Sequence, residues 1–271
     1  MLKIVPFVVL TLLASPALAG TSAWQELAPG VNARLISADT IDSADHTLLA
    51  GLELDMPKTT RTYWRIPGET GIPPQFDFSG SSGLEPNPQI IWPYPEIDHT
   101  EGYTDYIYRG HFVLPMKFNL TGQGLALLNA SMTLGICSDI CVPAMAKFTL
   151  PIALGEPDAV SANGLLLAIQ KSPDDWDRPS QPFGAVFAGP DGLLIDSLDP
   201  SVNPDSIIAD VNDPSILFGA PQKGPENGQY FIKLLGEAGP NGLAGRTVQL
   251  TFTATSLHFP YAVTRQVLAA R

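Results

Sequence analysis

Cys137 and Cys141 are the only cysteines in a chain of 271 residues, and they stand four positions apart in the stretch Gly-Ile-Cys-Ser-Asp-Ile-Cys-Val-Pro, residues 135–143. Two thiols this close can exchange as a dithiol/disulfide couple, hold a soft metal ion such as Cu(I), or close a bridge that braces the fold. The brace is a weaker use than exchange. Loop-closure stabilisation grows with loop length, and a loop this short removes little freedom from the unfolded chain. An accessible disulfide is also the kind that exchanges. For Cu(I), Met145 shares the predicted face of Cys141, which makes Cys137, Cys141 and Met145 the candidate ligand set, with His99 and His111 as further donors. Copper-delivery proteins carry C-x3-C pairs in a thioredoxin-like fold, whereas the flanks here read as strands. Hydrolytic chemistry has no foothold: the chain lacks a G-x-S-x-G elbow, an H-E-x-x-H helix and a phosphate-binding glycine loop, and its four histidines are widely spaced.

The elements that must position the pair follow from its flanks. Ala130, Met132, Leu134 and Ile136 alternate with Ser131, Thr133, Gly135 and Cys137, a strand with Cys137 on its polar side. On the return strand Val142, Ala144, Ala146, Phe148 and Leu150 make the apolar face, which leaves Cys141 with Pro143, Met145, Lys147 and Thr149. A three-residue connection sets the cysteines opposite each other at a hairpin mouth, with both sulfurs pointing away from the core and Cα atoms within the roughly 4.4 to 6.8 Å of a disulfide. Asp139 between them raises a neighbouring thiol pKa unless a cation such as Lys147 offsets it.

Prolines (26) and glycines (24) cut the rest of the chain into short segments, several of period two: Leu52, Leu54 and Met56, and Val248, Leu250, Phe252 and Ala254. The expected fold class is all-β: an immunoglobulin-like β-sandwich over 20–154, a helical connector and linker over 155–182, and a second, smaller β-rich domain over 183–271. In the connector Ser161 is the expected cap of a helix through Leu165, Leu166 and Ile169 to Lys171, and Ser172–Pro182 reads as a linker. At the amino terminus Lys3, an apolar run from Ile4 to Leu13 and Ala17-Leu18-Ala19 form a signal peptide over 1–19, which predicts export to the periplasm. The net charge of −12 argues against nucleic acid and anionic lipid as partners. After Gly20 no apolar run reaches the roughly 18 to 20 residues of a membrane helix.

The segment Cys137-Ser-Asp-Ile-Cys-Val-Pro143 resembles the amino-terminal periplasmic domain of the DsbD family of thiol:disulfide interchange proteins, especially its ScsB-like branch. Thr62-Tyr-Trp-Arg-Ile-Pro-Gly68, Gly71-Ile-Pro-Pro74, Ile91-Trp-Pro-Tyr-Pro-Glu96 and Tyr108-Arg-Gly-His-Phe-Val-Leu-Pro115 agree in the same order. The resemblance spans roughly Trp24 to Leu154. It implies an immunoglobulin-like sandwich that takes reducing equivalents from a thioredoxin-like donor and passes them to oxidised periplasmic thiol proteins, with no cofactor beyond its own disulfide. By position, Cys141 joins the partner in the mixed disulfide and Cys137 resolves it. It also implies a cap loop over the pair, here Asp98, His99, Glu101 and Tyr103, with Trp64 on the same face or in the core. The chain departs from the family in its closer cysteine spacing and in lacking both the membrane conduit and a C-x-x-C module, so a donor must act in trans. An inert interaction module with a structural bridge is the remaining alternative.

Overall fold

The computed structural model describes residues 20–42, 44–99, 102–122, 125–153, 155, 157–213, 215–235, 242–255 and 259–270. The signal segment 1–19 and Glu101 lie outside the described residues. No helix among the described residues is long and apolar enough to cross a membrane.

The fold is all-β, an immunoglobulin-like sandwich followed by one helix and a smaller β-rich unit. The first part of the chain forms β1 (Gln25–Ala28), β2 (Val31–Asp42), β3 (Thr47–Asp55), β4 (Arg61–Gly68), β5 (Gln75–Asp77) and β6 (Gln89–Ile90). It continues through β7 (Glu96–Asp98), β8 (Asp105–Arg109), β9 (Phe112–Asn119), β10 (Ala126–Cys137) and β11 (Cys141–Ile152). They lie in two sheets, ordered β1-β2-β3-β9-β6 and β11-β10-β4-β8-β7, with β5 also paired to β10. The inward residues of the period-two strands meet between the sheets: Leu35, Leu48, Leu52 and Leu54 from one side, Leu128, Ala130, Met132 and Leu134 from the other. Burial of such side chains, at roughly 1.5–3 kcal/mol each, is what fixes strand register, because a slip of one residue would turn each inward face outward.

Helix α1 (Ala159–Ile169) begins three residues before the expected start. Its cap is Asp158, whose carboxylate accepts from the backbone N–H groups of Val160 and Ser161 at 3.0 and 3.2 Å. Ser161 sits inside the first turn and donates its hydroxyl to the same carboxylate at 2.8 Å. A carboxylate at this point satisfies orphan amides and also faces the positive end of the helix dipole, which a serine hydroxyl cannot match. The helix is more than a connector, since Leu165 and Ala168 pack on Ile36, Ala38 and Val113 of the outer face of the first sheet.

The stretch expected to be a linker is built into the second unit. Its β12 (Asp174–Asp175) pairs in parallel with β19 (Pro260–Leu268), and Trp176 packs on Phe252 and Tyr261 with ring centroids 5.5 and 5.1 Å away. The apolar area of the indole outweighs the polar composition around it. Between them run β13 (Phe183–Ala188), β14 (Gly192–Ser197), β15 (Ile208–Asp210), β16 (Leu217–Lys223), β17 (Gln229–Leu235) and β18 (Thr247–Thr253). These strands make one sheet in the order β15-β18-β19-β13-β14-β17-β16. Its end strands β15 and β16 come into contact, so the sheet curls around a core of Phe183, Ile195, Ile232, Leu250 and Phe252.

The two units meet along β4. Trp64, Tyr106 and Tyr108 pack with Ile208 from β15, and the Tyr94 hydroxyl donates to the Ser206 carbonyl at 2.5 Å. Arg65 pairs with Asp210, donates to the Gln249 side-chain carbonyl at 2.7 Å, and stacks its guanidinium 4.3 Å from the centre of the Trp64 ring. Burial pushes Arg65 down to about 10, still cationic at neutral pH. Removing one partner of a buried pair leaves a charge without compensation. Asp210→Ala is expected to lower unfolding free energy by about 3 kcal/mol in a denaturant titration, and Arg65→Met/Asp210→Leu by clearly less. Equal losses in both variants would assign the effect to packing rather than to charge.

Candidate functional site

The hairpin of β10 and β11 is in register over twelve residue pairs, from Ala126 opposite Ile152 to Cys137 opposite Cys141. The last pair is disulfide-bonded with Cα atoms 4.0 Å apart. That is closer than the sequence suggested, because the two residues are direct antiparallel partners, and side-chain-facing pairs of this kind sit near 4.5 Å. Ser138 N–H reaches the Ile140 carbonyl at 3.4 Å across the connecting turn.

The two sulfurs differ in environment, which corrects the expectation that both simply face outward. Cys137 is 1 % exposed, closed in a small cluster with Tyr63 and Ile107, whereas Cys141 is exposed. The outer face of β10 is open only in part, because β4 and β8 continue the sheet on that side and bring their side chains over Cys137. The exposed Val142 likewise departs from the expected apolar face, since it lies at the sheet end.

Tyr63 was not foreseen in this position. Its hydroxyl lies 2.9 Å from Cys137 Sγ and 3.5 Å from Cys141 Sγ, while the residue is 2 % exposed. Strand pairing explains the placement: Cys137 is the register partner of Arg61, and Tyr63 follows two residues on, on the same face of β4. Two glycines fit the ring. A Cβ at Gly71 would collide with Tyr63 Cδ1 and Cε1, and one at Gly135 would stand 2.9 Å from Cδ2. The segment carrying Gly71 is tied down by Asp105, which accepts from Thr70 N–H at 2.9 Å and from the Thr70 hydroxyl at 2.5 Å.

Arg61 supplies positive charge beside this hydroxyl. Tyr63 raises the Arg61 pKa more than partial burial lowers it, and Asp98 and Asp105 add to the rise. Asp98 accepts from Arg61 at 3.5 Å and from Arg109 at 2.6 Å, so it acts on the pair at one remove, by holding the guanidinium groups. Among the other cap-loop candidates, His99 Nδ1 lies 3.2 Å from the Thr104 hydroxyl, Tyr103 is half exposed, and Glu101 is outside the described residues. Trp64 belongs to the contact between the two units on the other side of β4. Lys147 stands six residues along β11 from Cys141, roughly 20 Å, so Arg61 and not Lys147 is the cation near the pair.

The donors expected for copper are spread out. Met145 is four residues along β11 from Cys141, with Cα atoms roughly 13 Å apart, and it is 81 % exposed. His111 Nε2 lies 2.7 Å from Glu53 Oε1 in the contact of β3 with the start of β9, on the opposite sheet. Among the described residues, no group of three or more His, Cys, Asp or Glu side chains gathers.

Comparison with known proteins agrees with this geometry. Residues 32–153 match the family model described as thiol:disulfide interchange protein DsbD, N-terminal. No curated protein sequence matches the chain. Among solved structures, the N-terminal periplasmic domain of ScsB from Proteus mirabilis superposes with a TM-score of 0.68 at 18% identity, covering 93% of this chain and 100% of that one. That overlap takes in both β units, so the second unit is part of the shared fold. Residues 32–153 of this chain are therefore similar to the DsbD amino-terminal domain, and the two-unit fold is shared with the ScsB periplasmic domain.

Proposed function

We propose that the chain is a periplasmic carrier of reducing equivalents that works by thiol:disulfide exchange through Cys137 and Cys141. The observation that carries this reading is the asymmetry of the pair, with Cys141 open to solvent and Cys137 buried against a tyrosine hydroxyl. In the reduced protein the Cys141 thiolate attacks one sulfur of an oxidised partner, forming a mixed disulfide and releasing the partner's other sulfur as a thiolate. Cys137 then loses its proton and attacks Cys141 Sγ. The intramolecular disulfide closes, the partner's second sulfur leaves as a thiolate, and two electrons have moved to the partner, whose thiolates take up two protons. A thioredoxin-like dithiol, acting in trans, runs the same steps in reverse to reload the pair. The redox group is the disulfide itself, so this reading requires no cofactor.

Tyr63 and Arg61 give the resolving thiol its chemistry. A hydroxyl at 2.9 Å can donate to the Cys137 thiolate, and the adjacent guanidinium favours negative charge there, both of which lower a thiol pKa. Asp139, exposed in the turn, works in the other direction.

The reading is tested by titrating the mature protein against glutathione with copper excluded and counting alkylated thiols. The expected midpoint lies in the roughly −180 to −270 mV range of exchange proteins. A pair still oxidised below about −300 mV would mark an inert brace. Cys137→Ser is expected to trap mixed disulfides with periplasmic thiol proteins and Cys141→Ser to trap none, both with the far-UV spectrum of the native protein. Tyr63→Phe is expected to move the pH profile of ring closure to higher pH and slow it about tenfold at pH 7, as loss of a hydrogen bond to a charged group would. An unshifted profile would remove the hydroxyl from the exchange step.

A further inference from the structure

The edge of the sheet beside Cys141 has a pattern of open backbone groups. Leu127 of β10 exchanges both backbone hydrogen bonds with Ser82 at 2.9 Å, so odd-numbered residues of β10 direct their N–H and C=O groups away from β11. Their partners on β11 are the odd-numbered Cys141, Pro143, Met145 and Lys147, whose backbone groups therefore point off the sheet. β11 is the end strand on that side, and the Lys147 carbonyl indeed accepts from Gln25 Nε2 at 2.8 Å.

The edge is guarded along most of its length. β1 lies beside its far half, and Pro143 and Pro151 occupy outward positions without an N–H, which blocks continuous addition of a long strand. Beside the disulfide, the N–H and C=O of Cys141 and Met145 and the C=O of Pro143 have no hydrogen-bond partner among the described residues. Exposed apolar side chains flank this stretch, with Ile140 at 74 %, Val142 at 43 % and Met145 at 81 %. A groove of about 510 Å³ opens beside Met145, between Phe76 and Thr133.

We infer that the edge from Cys141 to Met145 is a backbone docking track for an extended polypeptide segment flanking the reactive disulfide of the partner. Acceptors at every second residue, roughly 7 Å apart, with donors at Cys141 and Met145, are the complement of another strand. Pairing there would hold the partner's sulfur beside Cys141 in a way that does not depend on the partner's side chains. Pro143 removes one donor from the middle of the track, which weakens the contact so that it can dissociate once exchange is complete. The inference rests on the exchange reading above.

The test compares reduced native protein, Met145→Pro and Met145→Ala against two oxidants. One is a pair of extended ten-residue peptides joined through a central disulfide, and the other is 5,5′-dithiobis(2-nitrobenzoate), which has no backbone. Met145→Pro removes an outward N–H together with the thioether, and Met145→Ala removes the thioether alone. Met145→Pro is expected to slow reaction with the peptide disulfide about tenfold and to leave the aromatic disulfide within about twofold, whereas Met145→Ala keeps both rates near native. A native peptide rate in Met145→Pro overturns the track. Native protein that reacts with neither oxidant overturns the exchange reading instead. Should Met145→Pro lose its fold, amide hydrogen exchange in Cys137→Ser joined to one peptide decides: protection of the Met145 amide is expected, and its absence overturns the track.

Discussion

The register that sets Cys137 opposite Cys141 is the constraint on which the rest depends. It is imposed from the other side of the strands, where Ala130, Met132, Leu134, Ile136, Ala144, Phe148 and Leu150 are buried in the sandwich core. Moving either strand by one residue would expose those side chains and also separate the sulfurs. The same parity sends the odd-numbered side chains to the cysteine face and the odd-numbered backbone groups of β11 off the sheet edge. One choice of register thus fixes the disulfide, its tyrosine neighbour and the open edge together.

Strand β4 is the second determinant, because it serves two sides. Arg61 and Tyr63 reach the pair, while Trp64 and Arg65 hold the curled sheet through Ile208, Asp210 and Gln249. The pairing of β4 with β8 is irregular between Tyr63 and Gly68, and that break in the ladder lets Arg65 turn to the second unit instead of following Tyr63 toward the sulfurs. Tyr63 therefore sits between two rigid supports, the hairpin on one side and the contact between units on the other.

Much of this was legible in the alternation of the sequence. The hairpin, the opposed cysteines and the all-β class follow from period-two patterns and a three-residue turn, since a sheet writes its faces directly into the chain. What the sequence hid was long-range. Burial of Cys137 comes from β4 and β8, which are separated from it by many residues, and periodicity carries no information on which strands will be neighbours. Tyr63 stood in a recognisable segment next to Trp64, and parity alone cannot tell which of two adjacent aromatic residues faces the site. Gly71 and Gly135 were a usable signal, as glycine within or beside a strand often marks close approach of another group. Polar composition marks Ser172–Pro182 as a linker, but the packing of Trp176 on Phe252 and Tyr261 decides the local structure.

The proposed carrier role requires one fold in two oxidation states, and the placement of this disulfide is suited to that. Chain entropy gives about 2 kcal/mol for closing so short a loop, and the hairpin already brings its ends together through eleven further registered pairs. Opening the bond therefore removes little that the β10–β11 ladder does not supply. A bridge between the two sheets would behave differently, since it would close a long loop and brace the core whose packing sets the register. With the bond at the hairpin mouth, the sandwich is held by apolar burial, and the cysteine pair can open without loosening it.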